Sequence, residues 1–465
     1  MSSPFNEEKY KRLLEGLSIR EVWLGDALKL EDFRLEAEFH ISNRIDFKSV
    51  KGAVVELFSQ YGTSKDLNED YRGFPVLRLN EFDSFFISKP AKSCDLIDFE
   101  TYRSLKLKKD DVLICRTNGN PKLVGKAAIV PKDYDYAFAS YLFRVRPDKS
   151  IINSATLVAF LNSKYGRIEI EKYSMVGNQA NFSPAKFRQI SVPLFSPQFN
   201  IEIEKLVYKS FNLSEDSKKL YSEAVAILDS ELGIKGWQPN NAPINIKQLK
   251  ESYLKSGRLD AEYYQPKYED YATFIGKYKG GADALGNVCT LNDKNYNPSE
   301  NSEYKYIELS NIGNSGEITG CTTSIGSELP SRARRLVRAN DVIVSSIEGS
   351  LQSVALVTDE YDKAICSTGF YVVKSETINP ETLLVLFKSE PMQNLLKQGC
   401  SGTILTAIGR NELQNIVMPK IRNEVQMEIA EYVQKSISLR NEAKQLLESA
   451  KLKVEDAIST PPPFD

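Results

Sequence analysis

The densest basic run in the chain is Ser331-Arg332-Ala333-Arg334-Arg335-Leu336-Val337-Arg338, with four arginines in seven residues. Guanidinium groups suit phosphate oxygens, and an arginine at a loop tip suits the edge of a base. A second polar cluster holds Arg116, Asn118, Asn120, Lys122 and Lys126 around a Gly119-Asn120-Pro121 turn. Asn178, Gln179 and Asn181 form a third, and Ser346, Gln352 and Thr403 add hydroxyl and amide groups in the C-terminal half. These residue types can hydrogen-bond base edges and the nucleic-acid backbone. A solvated surface loop is the competing account of any one of them.

Other chemistries are poorly provided for. His40 is the one histidine, so a mechanism that needs a histidine base has little to draw on. Cys94, Cys115, Cys289, Cys321, Cys366 and Cys400 are scattered without a C-x-x-C pair, which argues for reduced, buried thiols and against a zinc site. No G-x-x-x-x-G-K-(S/T) loop is present. Pro461-Pro462-Pro463-Phe464 shares a Pro-Pro-aromatic string with amino-methyltransferases, but it follows a proline and no Gly-rich cofactor loop precedes it. Glu442-Ala443-Lys444 falls in a helical pattern without the upstream Pro-Asp pair of a nuclease. No catalytic residue, metal ligand or cofactor site is therefore assigned.

Length and composition set the frame. The chain has 465 residues, which predicts at least two domains. It is 42% hydrophobic and 26% charged, as an ordinary globular protein is. No apolar run of about 18 residues is present, and the N-terminus lacks an apolar signal core, so a cytoplasmic protein is expected. The net charge of −2 is unlike that of a small basic DNA-binding domain, but binding depends on local patches.

The elements that must hold the polar clusters occur twice. Residues 201–232 and 427–458 both read as long helices, and a shift of 226 positions superposes them. Lys209-Ser210 falls on Lys435-Ser436, Ile203 on Ile429, and Ala224 on Ala450. Leu206, Leu213 and Leu220 fall on Tyr432, Leu439 and Leu446, apolar residues seven apart that predict the core of a helix pair. Thirty residues of helix span on the order of 45–50 Å.

The segments before each helix match as well. Arg34-Leu35-Glu36-Ala37-Glu38-Phe39 recurs as Arg258-Leu259-Asp260-Ala261-Glu262-Tyr263. Asp111-Val112-Leu113-Ile114 recurs as Asp341-Val342-Ile343-Val344, a turn leading into a β-branched strand. Lys106, Lys108 and Lys109 stand just before the first of these strands, where the second half has its arginine run. A polar loop, two more strands and a short helix follow in each half, and Ile190-Ser191-Val192-Pro193 matches Ile416-Val417-Met418-Pro419. The expected fold is α+β, with a first α/β domain over 1–195, a long helix over 196–232 and a linker over 233–245. A second domain follows over 246–420, then a second long helix over 421–458 and a tail over 459–465. The helices are expected to pair antiparallel as a coiled-coil spacer between pseudo-two-fold domains.

This doubled order resembles the specificity (S) subunit of type I restriction–modification systems. The match is carried by D-V-L-I, then G-K in Val124-Gly125-Lys126 of the first half, a short helix, I-x-V-P and a long helix, an order that occurs twice. The resemblance implies two target-recognition domains, each reading one half of a split, asymmetric double-stranded DNA site. It implies long helices that set the half-site spacing and dock two adenine-N6 methyltransferase (M) subunits, with restriction (R) subunits as further partners. It implies a subunit that is not itself an enzyme, takes no cofactor and touches no membrane. In the second half Leu351-Gln352-Ser353 replaces the G-K loop, which sets its DNA contacts apart. Two other readings stay open: a scaffold that binds protein or glycan, and a decoy that binds its M partner without reading DNA.

Overall fold

The computed structural model describes residues 22–28, 39, 47–83, 85–174, 180–292, 294–402 and 406–460. The chain divides into two units, Met1–Leu213 with Glu442–Asp465, and Ser214–Asn441. Each unit takes one half of each long helix, so the helices belong to the two units rather than standing apart from them.

The first unit is built on a six-stranded sheet in the order Glu56–Tyr61, Leu142–Pro147, Val112–Cys115, Ala127–Ile129, Phe86–Ile87, Phe82–Asp83. A three-stranded sheet of Ala137–Phe138, Phe74–Leu77 and Lys92–Cys94 lies beside it. The second unit has a four-stranded sheet in the order Cys289–Leu291, Phe370–Ser375, Val342–Ser345, Val354–Leu356. Its other sheet runs Thr322–Ile325, Glu303–Ile307, Ile365–Ser367, Ala333–Leu336.

The registers repeat. Val112 pairs with Val145 on one side and Ile129 on the other; Val342 pairs with Val373 and Leu356. Leu77 and Phe138 pair in parallel, as Ile307 and Cys366 do. The central strands Val112–Cys115 and Val342–Ser345 are buried along their whole length, which is why they read as continuous apolar runs. Each is entered through a left-handed residue, Asp110 at φ 67° and Asn340 at φ 68°. Asp and Asn tolerate that region because their short polar side chains bond locally.

Two short helices follow the sheets in each unit, Ser154–Leu161 with Lys164–Tyr173, and Pro380–Lys388 with Glu390–Gly399. An asparagine starts each pair. Asn153 accepts from the Thr156 N–H and Asn379 from the Thr382 N–H, both at 2.8 Å. The same side chains donate at 2.8 Å to the carbonyls of Asn200 and Gln426, at the start of each long helix. One residue thus caps the short helix and joins it to the long one.

The long helices span Pro197–Leu232 and Asn423–Ser459. In the first unit they run antiparallel, with Lys209 against Glu442 and Lys453 against Glu202, both at 2.7 Å, and Ser210 Oγ donating to the Ala443 carbonyl at 2.9 Å. In the second unit Ser217 and Ser436 donate to each other's carbonyls at 2.8 Å, and Arg422 meets Glu231 at 2.6 Å.

The buried seam is Ile203, Val207, Ser210, Ser217, Tyr221, Ala224, Leu228 and Leu232 on the first helix. On the second it is Ile429, Val433, Ser436, Ala443, Leu447, Ala450, Val454 and Ile458, the same pattern shifted by 226. The seam therefore runs beside the leucine stripe. Leu206, Leu213, Leu220, Tyr432, Leu439 and Leu446 are half-buried flanks. Ser210, Ser217, Ala224, Ser436, Ala443 and Ala450 are small, which lets the helices approach closely but carries little apolar signal in the sequence. The flanks are covered from the side, where Leu206, Tyr208 and Phe211 pack on the first unit's core and Phe211 meets Phe86 at 5.3 Å between ring centroids. Among the described residues no helix is long and apolar enough to cross a membrane.

Candidate nucleic-acid interface

In the first unit the structure gathers Arg116, Asn118, Asn120, Lys122, Lys126 and Asn181 at the C-terminal end of the strand Val112–Cys115. Thr117–Asn118 pairs with Ala180–Asn181 in a short antiparallel ribbon that joins two separate stretches of sequence. Arg116 is fixed through its backbone, its N–H donating to Tyr141 and its carbonyl accepting from Phe182, both at 2.8 Å. Its guanidinium lies over the Tyr61 ring, 5.1 Å from the centroid. Asn118 Oδ1 accepts from the Asn120 N–H at 2.8 Å, and Asn120 Oδ1 accepts from the Lys122 N–H at 3.1 Å. These bonds build the Pro121–Leu123 turn. Lys122 is exposed and Lys126 half-buried.

Gly125 closes this loop at φ 77°, where a Cβ would stand 2.4 Å from Ile170 Cγ2. Arg167 ties the loop down, donating to the carbonyls of Val124 at 2.7 Å and Lys122 at 3.2 Å. In the second unit Gln352 holds the place of Gly125, and Lys388 Nζ donates to its carbonyl at 2.7 Å. Burial pulls the Lys388 ammonium down to about 8, with Glu317 opposing the shift.

Lys106, Lys108 and Lys109 stand at the other end of the strand, before the Asp110 turn. Lys106 is paired with Asp135 at 2.5 Å, and Lys109 lies over the Tyr208 ring at 5.1 Å. Lys108 is exposed. The lysines and the Arg116 loop thus occupy opposite ends of one strand and form two patches. Burial opposes a charge on Asp110, but hydrogen bonds from Lys149 and Tyr208 prevail and hold its carboxyl below the usual range. Asn178 and Gln179, like Thr403 in the other half, lie outside the described residues.

In the second unit the arginines are spread along Ala333–Leu336, an edge strand with a bulge between Ala333 and Arg335. Arg334 donates to the Ser331 carbonyl and Asn297 Oδ1, both at 3.1 Å, and Arg335 to Asn295 Oδ1 at 2.7 Å. Arg338 is exposed, 3.9 Å from Asp362. Arg332 is exposed at the opposite end of the run, its carbonyl accepting from Thr368 at 2.8 Å. Ser346 takes the place of Arg116, with its N–H on Gly369 and its carbonyl accepting from Ile408, both at 2.8 Å. The Ser346 hydroxyl also donates to Gly369, at 2.9 Å, and the residue is buried. Gln352 is exposed.

Tyr61 and Tyr141 flank Arg116 and are 47% and 59% exposed, so they belong to this surface. Neither falls in one of the polar clusters of the sequence. The signal for Tyr141 is its position against Gly369 in the other half; Tyr61 has no such marker, because a distant strand brings it in.

The R-L-acid-A-E-aromatic element acts as a latch. Arg258 reaches the Cys400 carbonyl at 2.9 Å, pairs with Asp260 at 2.5 Å and lies over the Tyr263 ring at 4.3 Å. Of the first copy, only Phe39 is described; it meets Tyr173 edge-on at 5.5 Å, at the end of the matching short helix. All six cysteines are free thiols, and burial raises Cys115 and Cys400 to about 11 and Cys289 to about 12. Among the described residues, no group of three or more His, Cys, Asp or Glu side chains could hold a metal.

No protein-family model matches the chain. Over 133 residues it is 26% identical to the type I restriction enzyme StySPI specificity subunit of Salmonella potsdam. Over 133 residues it is 30% identical to the EcoKI specificity subunit of Escherichia coli strain K12. Each match covers 28% of this chain and 27% of the relative, so it spans about a quarter of the curated proteins' length. Among solved structures, the S subunit of a type I restriction–modification system from M. genitalium aligns over 93% of this chain and 98% of its own, at 11% identity and a TM-score of 0.41. The fold described above rests on its own strand registers and not on that likeness. In sequence, the chain is similar to the specificity subunits of type I restriction enzymes.

Proposed function

We propose that this chain is the specificity subunit of a type I restriction–modification system. In this reading it is a non-catalytic, cytoplasmic subunit that reads a bipartite, asymmetric site on double-stranded DNA. Each unit acts as one target-recognition domain and reads one half-site. The long helices dock the adenine-N6 methyltransferase subunits. The observation that carries the reading is the duplication itself. One α/β unit occurs twice with matching registers in its central strands, and its polar loops differ between copies. A reader of two different half-sites needs a constant scaffold and variable contact loops. The similarity to specificity subunits supports the same role.

The Arg116 loop and the arginine-rich edge strand are the proposed contact surfaces. Lys106, Lys108 and Lys109 form a separate patch for the DNA backbone, with Lys108 its freest member. The test is to co-express the chain with an adenine methyltransferase subunit and map N6-methyladenine across the host genome. Methylation at one split motif, absent without this chain, is expected. A stably co-purifying methyltransferase with no methylation sinks the DNA-reading role and leaves a decoy.

A further inference from the structure

We infer that Arg116 reads a guanine in one half-site and that Tyr61 is its positioning residue. The inference rests on the DNA-reading role proposed above and adds a base and an orienting partner to it.

Most arginines described in the first unit are tied to an acceptor. Arg144 and Arg146 are held by Asp111, Arg188 by Glu56, and Arg78 by Glu81. Arg167 donates to two backbone carbonyls. Each of these has an acceptor that holds it to the fold, whereas Arg103 is exposed on the helix Phe99–Leu105. Arg116 differs. Its backbone is pinned on both sides, to Tyr141 and Phe182. Its guanidinium has no hydrogen bond or ion pair among the described residues and lies on the Tyr61 ring. A ring face orients the guanidinium plane and leaves the N–H fork free at its edge. A planar fork of this kind matches O6 and N7 of guanine in the major groove.

The neighbours fit the same purpose. Asn118 and Asn181 lie on the adjoining ribbon, and Tyr141 is exposed beside it. Asparagine amides match the N6 and N7 edge of adenine. The second unit has none of this at the matching place. Ser346 replaces Arg116 and turns its hydroxyl inward, and Gly369 replaces Tyr141. An arginine carried only by one copy of a repeated scaffold is expected where the two copies read different bases.

The test uses the full chain with its methyltransferase and maps the methylated motif for Arg116→Ala, Arg116→Lys, Tyr61→Phe and Tyr61→Leu. Both Arg116 variants should relax one guanine position in one half of the motif, by about 5- to 150-fold in discrimination, and leave the other half intact. Arg116→Lys keeps the charge and its packing, so it reports on the fork if Arg116→Ala fails to assemble. Tyr61→Phe keeps the ring and should methylate as the parent does, while Tyr61→Leu should relax the same guanine. An unchanged motif in Arg116→Lys overturns the inference. So does a uniform loss of methylation at all sites in Arg116→Ala, which marks a phosphate contact. If the parent chain gives a split motif, the DNA-reading role stands whatever these variants do. If it gives none, both fall.

Discussion

Asp111 in the first unit and Asp341 in the second stand at the same turn. Each carboxylate accepts from a backbone N–H three residues back, Lys108 at 2.9 Å and Arg338 at 2.8 Å. The neighbouring strand then treats them differently. In the first unit it supplies Arg144 at 3.1 Å and Arg146 at 2.5 Å. Arg144 is itself buried and donates on to the carbonyls of Lys106 at 2.9 Å and Ser104 at 2.8 Å, and to Gln60. In the second unit the register puts Val372 where Arg144 stood, opposite Ile343 instead of Leu113. Burial there raises the Asp341 pKa, against the Arg338 N–H and the charges of Lys374 and Arg338. The aspartate is common to both units because the backbone turn needs an acceptor. The ion pair is an addition to one of them, and it persists because nearly every donor in it finds an acceptor.

Breaking this contrast should separate the units. Asp111→Asn leaves Arg144 buried with a poorer partner and should cost about 3–5 kcal/mol, read by denaturant unfolding of the purified chain. A loss under about 1 kcal/mol sinks the buried network as a stabilising feature. Gly125→Ala comes next. It meets both the left-handed backbone and Ile170, and about 1–3 kcal/mol should be lost. The matching Gln352→Ala, in an exposed loop without that backbone, should stay within about 0.5 kcal/mol. Equal losses at the two sites dissolve the distinction between the loops.

The smallest effect belongs to Asp341→Asn. A carboxyl whose folded pKa lies above its unfolded value contributes stability that is fully present below about pH 4. That contribution fades as pH rises through the folded pKa, so at neutral pH the charge opposes the fold. The amide still accepts from Arg338, so the variant should match or exceed the parent by less than about 1 kcal/mol at pH 7. Its stability should also fall less steeply from pH 4 upward. A loss as large as that of Asp111→Asn refutes the assignment of opposite roles.

The doubling of the chain was legible because the same order of turns, strands, caps and helices recurs, 230 residues apart at the turn aspartates Asp111 and Asp341 and 226 apart in the caps and long helices. The helix pair was legible too, but its seam was read from the leucines. Ser210, Ser217 and Ser436 look polar in a sequence, yet each gives its hydroxyl to a carbonyl across the seam. The arginine run was equally plain as a run. What it does not reveal is that Asn295 and Asn297, about forty residues earlier, hold Arg335 and Arg334. Ser346 looked like a loop hydroxyl and is buried against Gly369. In each case the deciding partner is distant in sequence.

The order of elements, their repetition and the turn aspartates follow from the chain alone, since they depend on local propensity and on a pattern that recurs in the same order. The choice of which cations stay free was made only by packing. A guanidinium is available for a ligand when no acceptor from another strand reaches it, and that is a property of the assembled fold. Arg116 and Arg144 are both arginines within or just after strands of one sheet. One is buried and donates to Lys106, Ser104, Gln60 and Asp111, and the other rests on an exposed tyrosine.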